Sequence, residues 1–310
     1  MKGFILAAGY GERLRPLTDR TPKPLLPVMN TATICYAVTL LKEAGISDVI
    51  INLHYRPDDV ISYFHRHENF GIHITFSIEK EILGTGGGVK KCESLLRDGE
   101  FVLVNSDVIM DVRPADVIAA HRASGAPATV VLRATPQADS IGAVGVRDGR
   151  VVDFKNFLGS GVMSNYIYTG MAVISPDIFP YLSHEFTSVV YTGYTGLIRD
   201  CTLNYYDHRG IWCDTGSPVS YHAANMLVMA HAREFSPRMA SACGVKLDAV
   251  HADSRIEHGA DVRGSIIGAG CVVGRGSVVR NSIMLPGSAV PDNAVVENAI
   301  VNGADAIIPA

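Results

Sequence analysis

From Val250 to the end of the chain, small and β-branched residues return about every six positions, in VHADSR, IEHGAD, IIGAGC, VVGRGS, IMLPGS, AVPDNA and IVNGAD. This period constrains the fold more than any other feature. Hexads of this kind wind into a parallel β-helix, in which each short strand buries one aliphatic side chain and the turns need glycine or another small residue. Two shortened units, VRGS and VVENA, interrupt the count. The stretch suffices for roughly three coils, near the minimum for a stable stack.

The chain before it has a different texture. Phe4 to Ala8 is an apolar run that ends in glycine and reads as a buried strand feeding a loop. Residues 31–45 place Ile34, Ala37, Val38 and Leu41 on one helical face, and Gly45 ends that helix. Asp48–Leu53 is a second strand. Residues 57–67 open with Pro57, Asp58 and Asp59, which suits the first turn of a helix. His73–Ser77 is a third strand. After glycines at 84–88, Val89, Cys92 and Leu96 predict a further helix, and Phe101–Asn105 is an apolar strand. This β-α-β-α-β rhythm predicts a mostly parallel, twisted sheet with helices on both faces. Ligands of such sheets bind at the carboxyl ends of the strands, where Gly9 and Asp107 can share a crevice. Further on, Ala143–Val146 and Val151–Phe154 flank an Asp148-Gly149 turn and predict an antiparallel hairpin added to the sheet.

Across 310 residues, 47 % are hydrophobic and 19 % charged, so a large core is feasible. That length suits a domain over 1–235 followed by a linker and β-helix over 236–310. The net charge of −4 gives no general attraction to nucleic acid or to an anionic membrane. Any anion site must be built locally. The six cysteines (Cys35, Cys92, Cys201, Cys213, Cys243, Cys271) form no CxxC pair or zinc-like cluster, and read as free thiols in a reducing compartment. The N-terminus does not read as a signal peptide, and no apolar stretch approaches the ~20 residues that span a bilayer. The expectation is a soluble cytoplasmic protein.

The local anion site is the segment from Leu6 to Leu25. Leu6, Ala7, Ala8, Gly9 and Gly11 precede a loop carrying Arg13, Arg15, Arg20 and Lys23 against only Glu12 and Asp19. Gly9 and Gly11 let backbone N–H groups approach phosphate oxygens. Prolines 16, 22, 24 and 27 restrict the loop. No GK[ST] follows, so it is not a P-loop, and Leu14 stands where a dinucleotide fingerprint has its third glycine.

This segment resembles the signature of the sugar-1-phosphate nucleotidyltransferases, L-A-A-G-x-G-x-R-L-x-P-L-T followed by P-K-P-L. The resemblance implies a Rossmann-like doubly wound mixed α/β sheet, here followed by a short left-handed parallel β-helix. It implies that Arg13 and the loop backbone hold a nucleoside triphosphate and that Lys23 reaches the reacting phosphates. Glu79-Lys80-Glu81-Ile82-Leu83-Gly84-Thr85-Gly86-Gly87 resembles the family's E-x-x-x-L-G-T-[AG]-G, which packs on the base; Glu79, Gly84 and Thr85 are then nucleotide-binding. Asp107, after Val104-Asn105-Ser106, matches a family aspartate that binds Mg²⁺. Asp214 in Trp212-Cys213-Asp214-Thr215-Gly216-Ser217-Pro218 resembles the second metal ligand, and Ser217 can cap a helix beginning at Pro218. Gly142 and Gly170 resemble sugar-contacting glycines. Lys155 fits the lysine on the sugar phosphate, although Phe154 replaces the family's glutamate; Lys155 and Gly170 also read as ordinary strand residues. None of the eleven histidines falls in a recognised catalytic pattern.

The implied reaction is NTP plus sugar 1-phosphate giving an NDP-sugar and pyrophosphate, with Mg²⁺ as cofactor. The layout looks most like mannose-1-phosphate guanylyltransferases acting on GTP and mannose 1-phosphate, with glucose-1-phosphate thymidylyl- and uridylyltransferases close behind. A non-catalytic nucleotide-sugar-sensing or scaffold subunit is the alternative within the family. Hexapeptide helices also occur in acyltransferases, but this one is short and offers only His251 and His258 near its start. The β-helix is expected to serve assembly of a homo-oligomer.

Overall fold

The computed structural model describes residues 1–200 and 202–307. Cys201 lies outside the described residues; the other five cysteines are free thiols. No described helix is long and apolar enough to cross a membrane. The chain divides into two compact units that are not contiguous in sequence. One comprises Met1–Tyr10 and Ala37–Trp212, and the other Gly11–Tyr36 and the chain from Cys213 onward.

The first unit is built on a nine-stranded mixed sheet. Its order runs Arg150–Phe154, Ala143–Arg147, Tyr166–Ile174, Phe101–Asn105, Lys2–Leu6, Asp48–Leu53, His73–Ile78. The last four are mutually parallel; Phe101–Asn105, Lys2–Leu6 and Asp48–Leu53 are mostly buried, as inner parallel strands are, and His73–Ile78 at the edge is partly buried. Lys2–Leu6 lies at the centre of the four, so successive crossovers diverge on either side of its junction with Phe101–Asn105. That junction is the topological switch point where open α/β sheets take ligands. Tyr166–Ile174 runs antiparallel to Phe101–Asn105 and also pairs with Ala128–Ala134, which carries Asn204–Asp207. The expected hairpin is present, its strands being Ala143–Arg147 and Arg150–Phe154 around Asp148 (φ 49°) and Gly149 (φ 74°). Phe4, Ile50, Phe101, Leu103, Val130 and Ala172 form the middle of the core.

Two helix boundaries differ from the sequence expectation. The helix expected from residue 31 begins at Ile34, because Thr31–Ala32 instead pairs antiparallel with Pro27–Val28 around a turn with Met29 and Asn30 at positive φ. The helix expected after the 84–88 glycines begins at Gly84 and contains them. Helix propensity opposes five-residue runs rich in glycine. Close packing overrides it: a Cβ on Gly86 would lie 2.6 Å from Thr187 Oγ1, and one on Gly88 2.6 Å from Asn52 Nδ2.

In the second unit, the loop from Gly11 packs with the helices Pro218–Ala230 and Ala232–Cys243 and with the β-helix. Ser217 caps the first helix as expected, accepting from Ser220 N at 3.2 Å while Ser217 N donates to Ser220 Oγ at 2.9 Å. The hexads form three parallel ladders, consistent with a short left-handed β-helix. Partners repeat every 17 residues, as Ser265 and Ser282 do; Ile266 pairs with Ile283, and Ile283 with Ile300. Each coil is thus one residue short of three full hexads, which accounts for the shortened units. Ile267, Val273, Val279, Met284, Val290 and Val301 fill its interior. Asp305–Ile307 turns back antiparallel on Ile300–Asn302 and covers that ladder's edge.

Candidate active site

The parallel strands deliver the first group of residues. Leu6 pairs with Asn105 on one side and Asn52 on the other, and Ser106 N donates to Leu6 O at 3.0 Å. Ala7, Ala8 and Gly9 therefore leave the sheet beside Asp107, as expected from their positions past two carboxyl ends. Gly9 faces open space, and Asp107 is half-buried.

Asn52 ties this exit to the second motif. Its Oδ1 accepts from Ala7 N at 2.8 Å, and its Nδ2 donates to Glu79 Oε1 at 2.8 Å. The other carboxylate oxygen of Glu79 accepts from Leu83 N at 2.8 Å. Asn52 is 1 % exposed and Glu79 2 %, so these groups position the backbone from within. Gly84 (φ 68°) follows, with Thr187 O only 2.4 Å from where its Cβ would stand, a site open to glycine alone. Thr85 Oγ1 accepts from Val189 N at 2.9 Å. The Glu79–Thr85 motif is thereby clamped between Asn52 and residues 187–189.

His54 and Tyr10 stand at the same end. His54 Nδ1 lies 2.8 Å from Glu79 O, a carbonyl that only accepts, so Nδ1 carries the proton. In the neutral ring, Nε2 is left to accept from Tyr10 OH at 2.7 Å. The Tyr10 ring meets His54 edge-on at 5.0 Å and is 38 % exposed, presenting an aromatic surface just past Gly9.

Two of the residues read as sugar-side contacts, Gly142 and Lys155, meet. A Cβ on Gly142 would lie 2.2 Å from Lys155 Cε, so the Lys155 side chain runs directly across Gly142. Lys155 N donates to Ala143 O at 2.8 Å. Gly170 sits where the register of Tyr166–Ile174 slips, against Asn105 Nδ2, two residues from Asp107. The loop after Lys155 is shaped by Asp153, whose carboxylate is fully buried and accepts from Phe154 N (2.8 Å), Leu158 N (2.9 Å) and Ser160 N (3.0 Å). Burial pushes that carboxyl up, but the three backbone donors and the Ser160 hydroxyl together outweigh it and hold it below the usual carboxylate range.

The second unit carries the basic loop. Gly11 (φ 69°) caps the short turn Glu12–Leu14, and Thr18 Oγ1 donates to Gly11 O at 2.8 Å. A Cβ at Gly11 would stand 2.9 Å from Thr18 Cγ2 and 3.2 Å from Lys23 Cβ, so Lys23 backs directly onto the glycine. Leu14 and Leu17 are buried and anchor the loop, while Arg13 is exposed. Arg13 Nη2 and Asp214 Oδ1 flank Gly216, at 3.1 and 3.3 Å from its Cβ position. Asp214 Oδ1 accepts from Gly216 N at 2.9 Å, which aims the carboxylate along the turn.

Asp107 lies in the first unit and Asp214 in the second. No cluster of three or more His, Cys, Asp or Glu side chains exists among the described residues. Asn52, Tyr10, His54 and Asp153 are contributors that motif reading passed over. The one available signal was polarity out of place, an asparagine in the apolar strand DVIINL and an aspartate in RVVDF.

Residues 2–231 match the family model of nucleotidyl transferases, and residues 232–310 match the GlmU-like C-terminal hexapeptide model. The chain is similar to mannose-1-phosphate guanyltransferase 2 of Candida glabrata, 31 % identical over 239 residues covering 74 % of this chain and 65 % of that protein. It is 33 % identical to mannose-1-phosphate guanyltransferase of Candida albicans over 238 residues, with coverage of 74 % and 65 %. The match thus spans about two thirds of the length of these relatives. Among solved structures, a Bacillus anthracis protein described as a candidate glucose-1-phosphate thymidylyltransferase superposes with a TM-score of 0.65 at 26 % identity, covering 73 % of this chain and 94 % of that one. With the model matched along residues 2–231, the chain belongs to the nucleotidyl transferase family.

Proposed function

We propose that the protein transfers a nucleotide from GTP to mannose 1-phosphate, giving GDP-mannose and pyrophosphate. The observation that carries this reading is the loop in which Lys23 backs onto Gly11 while Arg13 and Asp214 flank Gly216. The guanyltransferase relatives support the substrate pair. The thymidylyltransferase-like neighbour favours a second pair, dTTP with glucose 1-phosphate.

A phosphate oxygen of the sugar phosphate attacks the α-phosphorus in line. The new O–P bond forms as the bond to the β-phosphate oxygen breaks, and pyrophosphate leaves with that electron pair. The attacking oxygen is already ionised, so no general base is required. Catalysis rests on alignment and charge neutralisation. Arg13 and the loop backbone hold the triphosphate, and Lys23 faces the reacting phosphates. Glu79, Gly84 and Thr85 shape the base-binding segment. Lys155, drawn across Gly142, holds the sugar phosphate, and Gly170 keeps the sugar side close to Asp107. Asp107 and Asp214 are the proposed ligands of Mg²⁺, which supplies neutralisation of the phosphate charge when bound.

A panel of GTP, dTTP, UTP and ATP against mannose, glucose and N-acetylhexosamine 1-phosphates, read by pyrophosphate release with Mg²⁺ or with chelator, tests the reading. Turnover should be highest with GTP and mannose 1-phosphate and should stop with chelator. No turnover with any pair would favour a sensing subunit. The proposed setting is the cytoplasm, in keeping with free thiols at the five described cysteines. The proposed assembly is a homo-oligomer through the β-helix.

A further inference from the structure

The β-helix belongs to the same compact unit as the basic loop, and the link between them is specific. Past Lys23 the loop folds into the hairpin Pro27–Val28 and Thr31–Ala32, with Met29 and Asn30 at its tip. Met29 N donates to Asn225 Oδ1 at 3.0 Å. Asn225 is fully buried and uses its Nδ2 to donate to Tyr221 O, so its orientation is set from within the helix Pro218–Ala230. Tyr221, also fully buried, donates its hydroxyl to Pro27 O.

Asn30 reaches the β-helix itself. Its Nδ2 donates to Asp248 O at 2.9 Å and to Ile267 O at 3.0 Å. Ile267 O also accepts from His251 N, and Ile267 N donates to Ala249 O, so both anchors lie where the chain enters the first coil. His222, from the helix, lies 2.7 Å from Asn281 O one coil further along. One amide therefore joins the hairpin tip to two backbone carbonyls, that of Ile267 within the first coil and that of Asp248 just before it.

We infer that Asn30 is a positioning residue: the first coil of the β-helix, through the Asn30 amide, holds the hairpin that sets Lys23 and the loop 11–25 in their phosphate-binding arrangement. The role of Lys23 in this statement rests on the proposed nucleotidyl transfer; the mechanical link does not. Without the anchor, the loop must be ordered by the triphosphate itself, and that ordering weakens binding. Once the triphosphate is bound the arrangement is the same, so the loss falls on KM for the nucleotide more than on kcat.

Asn30→Gly is the informative variant, because Asn30 has φ 60° and glycine accepts that conformation without strain. It removes the amide but also frees the backbone, which the second variant controls for. Asn30→Asp keeps the shape but cannot donate to either carbonyl. In the full chain, hydrogen exchange without substrate should quicken in residues 11–33 in both variants and stay unchanged in the sheet of the first unit. KM for the nucleotide should rise about tenfold, the loss expected for two hydrogen bonds, with kcat within about twofold. Unchanged exchange in the loop would overturn the inference. So would a uniform rise in exchange, or equal losses in kcat and kcat/KM, since those mark general destabilisation. If the wild type turns over no substrate pair, the nucleotidyl-transfer reading fails, and the exchange pattern still decides the link on its own.

Discussion

Arg13 is exposed and its loop is anchored by Leu14 and Leu17 beneath it, so its head group is available to a ligand rather than committed to the core. Arg13→Ala should leave thermal unfolding unchanged and lower kcat/KM about 10²- to 10³-fold, the usual cost of removing one preorganised charge from a transition state. Asp107→Ala should do the same, with a weakened response to added Mg²⁺; near-normal rates in either variant would remove the loop or the strand end from the site. Asp153 offers a test of structure rather than chemistry. Its folded carboxyl titrates below its unfolded value of about 3.9, so its contribution is complete above that pH and is lost as pH falls through the folded value. Asp153→Asn should therefore be less stable at pH 7 and show a shallower loss of stability below about pH 4, measured by urea unfolding across pH. Arg13, Lys23, Asp107 and Asp214 could be nominated as candidates because their charges fall in a spaced motif. Asn52 and His54 could not, since what each does depends on partners from other strands.

At the scale of elements, the strands were legible because uninterrupted apolar runs have few alternatives. The two misplaced helix starts share a cause. Thr31–Ala32 and Gly84–Gly88 take their conformation from what they pack on, a neighbouring strand and the 185–189 segment, rather than from their own propensities. The second case is directly testable. Gly88 has helical φ, yet a Cβ there would meet Asn52 Nδ2 at 2.6 Å and Glu79 Oε1 at 2.8 Å. Gly88→Ala should cost about 1–3 kcal/mol in urea unfolding, whereas Gly99→Ala, with open space around it, should cost under 0.5 kcal/mol, about the level of an ordinary surface change. Equal effects would show that the 79–88 motif is not held by the Asn52–Glu79 pair.

For the whole molecule, the β-helix presents Val295 on its outer face at 67 % exposure, in register with Val278 and Asp261. If copies associate through this face, Val295→Asp should lower the mass seen by light scattering without altering the thermal midpoint by more than a few degrees. An unchanged mass would move the assembly surface elsewhere. The sequence alone determined the family to which its motifs point, the parallel half of the sheet and the hexad β-helix, because periodic burial and charged motifs are written in neighbouring residues. Only the tertiary structure decided that Asn52 and Glu79 lock two motifs together, that Lys155 lies across Gly142, and that the basic loop at residues 11–36 shares a unit with the β-helix. Each of these is a contact between distant segments. Such contacts arise from the way the whole chain closes its core and satisfies its buried polar groups, which no local pattern encodes.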